Sequence, residues 1–231
     1  MSEPGPRRGR VHDAEGAREA ILNAAEEVFA EHGFDGARID AIAAGSGYNK
    51  SLIFQYFGDK LGLYAAVVGR ADREMSRIQT QLLVPLLEDE AVASDARKFK
   101  ALLEALATGL LDYLIEHPHL TRIMLWEMAE GWQTYTKIFS QVNTEDVEQL
   151  GMLFHKARNA GLLRSGFVPV IQLTMVVQIC LSYLAFLPLY PLLLPGEDLS
   201  SATVLARARE YIVEFVVHGM MIDLPETKPE R

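Results

Sequence analysis

The sequence predicts an all-α fold, and three observations carry that expectation. After the first dozen or so residues, apolar side chains recur with the period of a helix along most of the 231-residue chain. No apolar run alternates with period two between turn signals, so no strand is expected. Glycine and proline gather between the periodic stretches and punctuate them. With 49% of its residues hydrophobic, the chain can bury a substantial core, as one large domain or two small ones.

Residues 1–13 hold proline, glycine and three arginines without apolar periodicity, and a disordered basic arm is expected there. From Arg18 the pattern is helical: Ile21, Ala24, Ala25, Val28 and Phe29 form one stripe. Gly33 is the natural stop, because a residue just past a helix often needs the left-handed conformation. A short second helix fits 39–44, with Ile39, Ile42 and Ala43 facing inward. Gly45-Ser46-Gly47 then makes a tight turn. A third helix fits 49–57, with Asn49 as N-cap because its side-chain oxygen can accept an orphan backbone N–H. Gly58-Asp59 breaks the chain again, and Asp59 can cap a long fourth helix running toward Leu87. Beyond an acidic linker at 88–95, helices are expected at 96–116, 119–130, 133–160, 168–187 and 201–221. Pro118, the GLLRSG turn, the proline-rich 188–195 segment and Pro225 separate them.

Charge and composition exclude several classes. The formal net charge is −9, and the first 60 residues hold seven basic against ten acidic side chains. Bulk charge therefore does not favour nucleic acid, and any contact with DNA must rest on where the charges sit. One cysteine cannot build a disulfide framework and suits a reducing compartment. Cys180 reads as a small buried hydrophobe. The opening MSEPGPRRGR lacks the apolar segment of a secretory signal, so a cytoplasmic location is expected. The apolar run 168–195 is long enough to span a bilayer. It contains Gln172, Gln178 and Ser182, ends in Pro188 and Pro191, and has no lysine or arginine between Arg164 and Arg207. A buried or interface helix is expected instead, and no membrane partner. Glu116 and His119 have the spacing of half a di-iron site, but no second pair exists and Pro118 lies inside the motif, so no metal is expected. With no nucleophile elbow, phosphate loop or dinucleotide fingerprint, neither enzyme activity nor a cofactor is expected.

The stretch GSGYNKSLIFQYFGDK, Gly45 to Lys60, carries the sharpest signal. Helix, tight glycine turn and second helix is the helix-turn-helix layout, in which the second helix enters the major groove. Tyr48, Leu52 or Ile53, and Phe57 can share the face that packs on the rest of the motif. Lys50, Ser51, Phe54 and Gln55 lie broadly opposite. Lysine can donate to guanine acceptors or phosphate, and glutamine can pair with adenine. Lys60, just past the next cap, can reach a phosphate.

The segment AREAILNAAEEVFAEHGFDGARIDAIAAGSGYNKSLIFQYFGDKLGLYAAV resembles the DNA-binding domain of the tetracycline-repressor (TetR) family of bacterial transcription regulators. The resemblance covers about 17–67 and rests on AAEEVFAEHGF, IDAIAAGSGYNKSLIFQYF and DKLGLY in that order. It implies a homodimer, operator double-stranded DNA bound by the N-terminal helices, and a C-terminal helical domain that binds an inducer and dimerises. Carried over by position, the DNA-binding residues are Arg38, Asn49, Lys50, Ser51, Leu52, Phe54, Gln55, Tyr56 and Lys60, with Tyr56 and Lys60 on phosphates. Arg7, Arg8 and Arg10 can add arm contacts. Members often carry threonine where this chain has Arg38 and a basic residue where it has Asp40. A carboxylate there suits a helix N-terminus but is repelled by phosphate, which shifts the work to the third helix.

The domain division that follows is a basic arm at 1–13, a helix-turn-helix domain at 14–62, a ligand-binding and dimerisation domain at 63–224, and a flexible tail at 225–231. Within the larger domain, Met124, Trp126, Glu127, Met128, Trp132, Tyr135 and Phe139, with Met175, Gln178 and Tyr183, are candidates for a roomy apolar pocket. Ile179, Phe186, Ala208, Tyr211, Ile212 and Phe215 are candidates for a helical dimer interface. The function expected is a ligand-responsive repressor that binds a palindromic operator as a homodimer and is released by an unidentified hydrophobic small-molecule effector. The alternatives are an activator or ligand-independent regulator of the same fold, or a helical-bundle small-molecule-binding protein or enzyme.

Overall fold

The computed structural model describes residues 8–87, 89, 91–141, 145–164, 168–193, 195 and 201–222. The described residues form helices α1 (Arg8–Gly36), α2 (Ile39–Ser46), α3 (Lys50–Phe57), α4 (Lys60–Leu87), α5 (Ala96–Glu116), α6 (Pro118–Ala129), α7 (Tyr135–Ile138), α8 (Glu145–Asn159), α9 (Pro169–Phe186), α10 (Tyr190–Leu193) and α11 (Ala202–Met220). A 3-10 turn at Phe139–Gln141 follows α7. Among the described residues there is no β-strand beyond one isolated bridge, Leu163 to Met221, so the all-α expectation is met. No helix among them is long and apolar enough to cross a membrane.

The chain divides into two compact units. Unit 1 comprises residues 1–73 and 117–143, and unit 2 comprises 74–116 and 144–231. Unit 1 therefore reaches beyond the 14–62 segment assigned to the helix-turn-helix, because α6 and α7 return to it.

In unit 1 the α1 stripe is buried as the periodicity requires: Ile21, Ala24, Ala25 and Phe29 are inside, with Val28 partly so. Leu22 and Ala30 are buried too, because α6 covers a second side of α1. Ile42 of α2, Ile53 of α3, and Leu63, Tyr64, Val67 and Val68 of α4 complete the core with Ile123 and Ile138. Tyr64 is wedged edge-on between Phe29 and Phe34, with ring centroids 4.9 and 5.2 Å away. Gly33 does end the regular part of α1. Its φ of 66° is open to glycine at little cost, and a Cβ there would crowd the Trp126 ring and Glu130, each at 3.2 Å. Backbone at Arg8 to Asp13 is already helical, a correction to the arm expected through residue 13. Arg7 lies outside the described residues, as do the side chains of Arg8 and Arg10 and the tail from 225.

Unit 2 is built on α5, which buries Phe99, Leu102, Leu103, Ala107, Leu111, Tyr113 and Leu114 and packs against α9 and α11. Asp95 starts α5 by accepting the Arg97 and Lys98 N–H groups at 2.9 and 3.0 Å. Phe99 meets Phe154 of α8 edge-on at 5.5 Å. Arg209 of α11 is bonded to Asp112 of α5. After α8 the chain pairs with the end of α11: the Arg164 N–H donates to the Met220 carbonyl and the Ile222 N–H to the Leu162 carbonyl, both at 3.0 Å.

The helix expected over 133–160 is broken in the structure. Gly131 and Trp132 both take positive φ, 70° and 62°, and turn the chain before α7. The Tyr135 N–H then donates to the buried Glu127 carboxylate at 3.0 Å, so that local bond competes with a continuous helix.

Candidate nucleic-acid interface

The helix-turn-helix is set by three local devices. Gly47, with φ 76°, closes α2 through its N–H on the Ala43 carbonyl at 3.1 Å. The helix continues through Ser46, two residues beyond the expected end at Ala44. Asn49 caps α3: its Oδ1 accepts the Leu52 N–H at 2.9 Å. Asp59 caps α4 by accepting the Gly62 N–H at 2.7 Å, and a Cβ at Gly62 would stand 2.1 Å from the Phe57 carbonyl oxygen. The α3–α4 junction thus requires glycine at 62.

These devices orient α3. Ile53 is fully buried in the core and Tyr48 and Phe57 are half-buried, which is the inward face expected of them. Leu52 and Tyr56 are half-buried at its edges, with the Tyr56 ring 6.1 Å from that of Phe57. Arg38, Asn49, Lys50, Ser51, Phe54 and Gln55 are exposed, Phe54 at 42%. The exposed face so presents cation, hydroxyl, ring and amide groups from one short helix. Such groups suit base edges and phosphates in a major groove. Two lysines are engaged within the unit. Lys50 Nζ lies 2.5 Å from Asp40 Oδ1 of α2. Lys60 Nζ donates to the Asp35 carbonyl at 3.2 Å and sits 4.7 Å from the Phe34 ring centroid. Arg38 precedes α2 in an extended conformation without capping it, as expected of a side chain that has no acceptor.

The residues expected to form a pocket separate. Met124, Trp126, Glu127, Met128, Trp132, Tyr135 and Phe139 all lie in unit 1. The Trp126 indole N–H donates to the Ala30 carbonyl at 3.2 Å. Glu127, 2% exposed, accepts the Tyr64 hydroxyl at 2.6 Å as well as the Tyr135 N–H. Burial and the neighbouring Glu127 carboxylate raise the Tyr64 hydroxyl well above the usual phenol value, and burial, with Asp72 and Glu127 nearby, raises that of Tyr135. Burial, with Asp35 and Glu127 nearby, raises the Glu130 carboxyl. These bonds tie α6 to α1 and α4, so this aromatic stretch is packing within unit 1.

Among the described residues, unit 2 includes these two cavities. One, of about 320 Å³, lies between α9 and α11 and includes Met175, Gln178, Ile179 and Phe215 in its walls. It unites two residues expected at a pocket with two expected at a dimer interface. The other, of about 200 Å³, lies among α5, α8 and α9, where Leu103, Leu110, Phe154 and Leu173 line it. Sequence reasoning missed this lining, although Leu103, Leu106 and Leu110 recur at helical spacing. Its one polar side chain, Thr174, donates to the Ile171 carbonyl at 2.9 Å. Tyr183 lies outside both cavities, and its buried hydroxyl has no hydrogen-bond partner among the described residues. Of the interface candidates, Phe186, Tyr211 and Phe215 are exposed, Ile179 and Ala208 are half-buried, and Ile212, at 6%, faces its own unit. Burial pushes the Cys180 thiol up to about 11, in keeping with an inert core residue. Among the described residues no cluster of histidine, cysteine and carboxylate side chains is placed to hold a metal.

An N-terminal helix-turn-helix with a polar, partly cationic reading face, followed in the chain by a second helical unit, defines a DNA-binding transcription regulator. Residues 21–67 match the family described as "Bacterial regulatory proteins, tetR family", and residues 100–216 match "Tetracyclin repressor-like, C-terminal domain". The chain belongs to the tetR family of bacterial regulatory proteins. It is 36% identical over 120 residues to the HTH-type transcriptional repressor SCO4008 of Streptomyces coelicolor, covering 52% of this chain and 54% of that protein. It is 26% identical over 176 residues to the HTH-type transcriptional repressor NicS of Pseudomonas putida, covering 75% of this chain and 78% of the relative. The chain thus spans about half the length of the first relative and three quarters of the second. Among solved structures it is similar to the regulator SCO4942 of Streptomyces coelicolor, with TM-score 0.60 and 26% identity over 88% of this chain and 98% of that one. SmeT, the repressor of the Stenotrophomonas maltophilia multidrug efflux pump SmeDEF, shares the fold at TM-score 0.56 and 23% identity, over 92% of this chain and 96% of that one.

Proposed function

We propose that this protein is a homodimeric transcriptional repressor that binds a palindromic operator through α3 and leaves it when a small hydrophobic effector binds unit 2. The observation that carries the reading is the exposed Lys50, Ser51, Phe54 and Gln55 face, held outward by the buried Ile53 on the other side of the same helix. Arg38, Asn49, Leu52, Tyr56 and Lys60 border it and contribute phosphate and sugar contacts. The apolar α5–α8–α9 cavity suits an uncharged effector, since no charged side chain lines it. Exposed apolar side chains on α9 and α11 supply the surface for a second copy. The net charge of −9 keeps non-specific DNA binding weak, because few phosphates are neutralised.

Selection of bound sequences from a random double-stranded DNA pool tests the reading. A palindrome should be enriched by the purified protein. Lys50→Ala or Gln55→Ala should each weaken binding to it by about 1–3 kcal/mol, the worth of one base-edge interaction. An enriched palindrome bound equally well by the Lys50→Ala, Gln55→Ala double variant would overturn the assignment of α3.

A further inference from the structure

Asp40 stands in the first turn of α2, ten positions before Lys50 at the start of α3, and the two side chains meet at 2.5 Å on the exposed face of the helix-turn-helix. In water such an exposed pair stabilises the fold little. Its consequence lies in what the pair does when that face meets DNA.

A free lysine ammonium beside DNA has two kinds of destination. Phosphates are available at every step of every sequence, while guanine O6 and N7 are offered only where the sequence provides them. The carboxylate biases that choice. If Lys50 swings to a phosphate, Asp40 is left unpaired beside a polyanion, losing solvent and gaining repulsion. If Lys50 stays on Asp40, two of its three N–H donors remain for base acceptors, and the carboxylate stays neutralised. The pair also holds a flexible side chain in one direction, which lowers the ordering cost of a base contact.

We propose that Asp40 is a specificity-determining residue that acts through Lys50: it withholds the Lys50 ammonium from phosphates and holds it for base readout. The proposal rests on the reading of α3 as the helix that enters the groove. Asp40 is a positioning residue in this scheme and need not touch DNA.

The test compares the full-length wild type with Asp40→Asn, Lys50→Gln and the double variant. Each is titrated by fluorescence anisotropy against the selected operator and a scrambled duplex of equal length, over a series of salt concentrations. Asp40→Asn should bind the scrambled duplex about three- to tenfold more tightly, with a salt slope steeper by ~0.9 for one added phosphate contact. Operator affinity should gain less, so the ratio of specific to non-specific affinity falls. In the Lys50→Gln background the same substitution should leave the ratio unmoved. An unchanged ratio in Asp40→Asn, or an equal change with and without Lys50, would show that Asp40 acts only as bulk negative charge and overturn the proposal. A wild type that does not distinguish operator from scrambled duplex overturns the reading of α3 itself, and this proposal falls with it. The Asp40 side chain is 75% exposed, so circular dichroism should show the variant folded as the wild type is.

Discussion

A capping oxygen closes the N-terminus of α3. Asn49 was legible in the sequence, because a short polar side chain one step before an apolar helical run after a glycine turn has one obvious use, and its Oδ1 does accept the Leu52 N–H. Asn49→Ala should lower stability by about 1 kcal/mol, read as a fall in the melting temperature, and loosen α3 in hydrogen exchange before the rest of unit 1. A variant as stable as wild type would show that the cap is replaced by water. Gly33 was legible as a stop for the same local reason. What no local rule could supply is which distant groups pack against it, here Trp126 and Glu130, some hundred residues away. The Asp40–Lys50 pair was illegible in the same way: the sequence marks Asp40 as an unusual carboxylate and Lys50 as a candidate DNA contact, but their meeting depends on how α2 crosses α3.

At the scale of elements, most of the longer helices were legible from period and punctuation, and their ends fell within a few residues of the observed ones. The stretch 124–139 is the exception. It carries methionine and aromatic side chains at helical spacing, a pattern that suits a ligand cavity and a packing surface equally well. The structure uses it for packing: α6 is fastened to α4 through Tyr64 and Glu127, and to α1 through Trp126 and Ala30. Tyr64→Phe should therefore cost about 2 kcal/mol, because it leaves a buried carboxylate short of a donor, whereas the same change at exposed Tyr211 should cost almost nothing. Comparing the two by urea unfolding checks this, and equal midpoints would deny the fastening. The start of α5 adds a pH dependence. Hydrogen bonds from the Lys98 and Arg97 backbone N–H groups hold the Asp95 carboxyl below its ordinary value. A depressed carboxyl contributes stability that is present above the unfolded-state value near 4 and is lost as pH falls through the folded one. Asp95→Ala should thus lower the melting temperature at pH 7 and lower it progressively less below about pH 4. A loss that does not change with pH would mean that the charge is irrelevant there.

For the whole molecule, the exposed apolar surface of unit 2 is where the proposed second copy would bind. Val168, Ile171, Met175 and Phe186 lie exposed at three-, four- and eleven-residue steps along or just before α9, which keeps them near one face. On and just after α11, Tyr211, Phe215 and Ile222 do the same, at 73, 59 and 46% exposed. The sequence made these two helices conspicuously apolar but could not divide their residues between inside and outside, and Ile212, expected at the interface, turned inward. Two exposed stripes flanking a cavity open between α9 and α11 form a surface that a second copy can cover and fill. Phe215→Glu places a charge in the middle of that surface without touching α3, and should convert the protein to a monomer in sedimentation equilibrium at micromolar concentration. Its melting temperature should fall only by what dimerisation contributed. Operator affinity should then drop by about 10²–10⁴, because the second half-site is no longer met at the high effective concentration that a linked partner provides. Affinity for a single half-site should stay as it was, since one α3 suffices for it. If the variant remained a dimer with undiminished operator affinity, the interface would have to lie elsewhere on the molecule, and the apolar stripes of α9 and α11 would call for a different occupant.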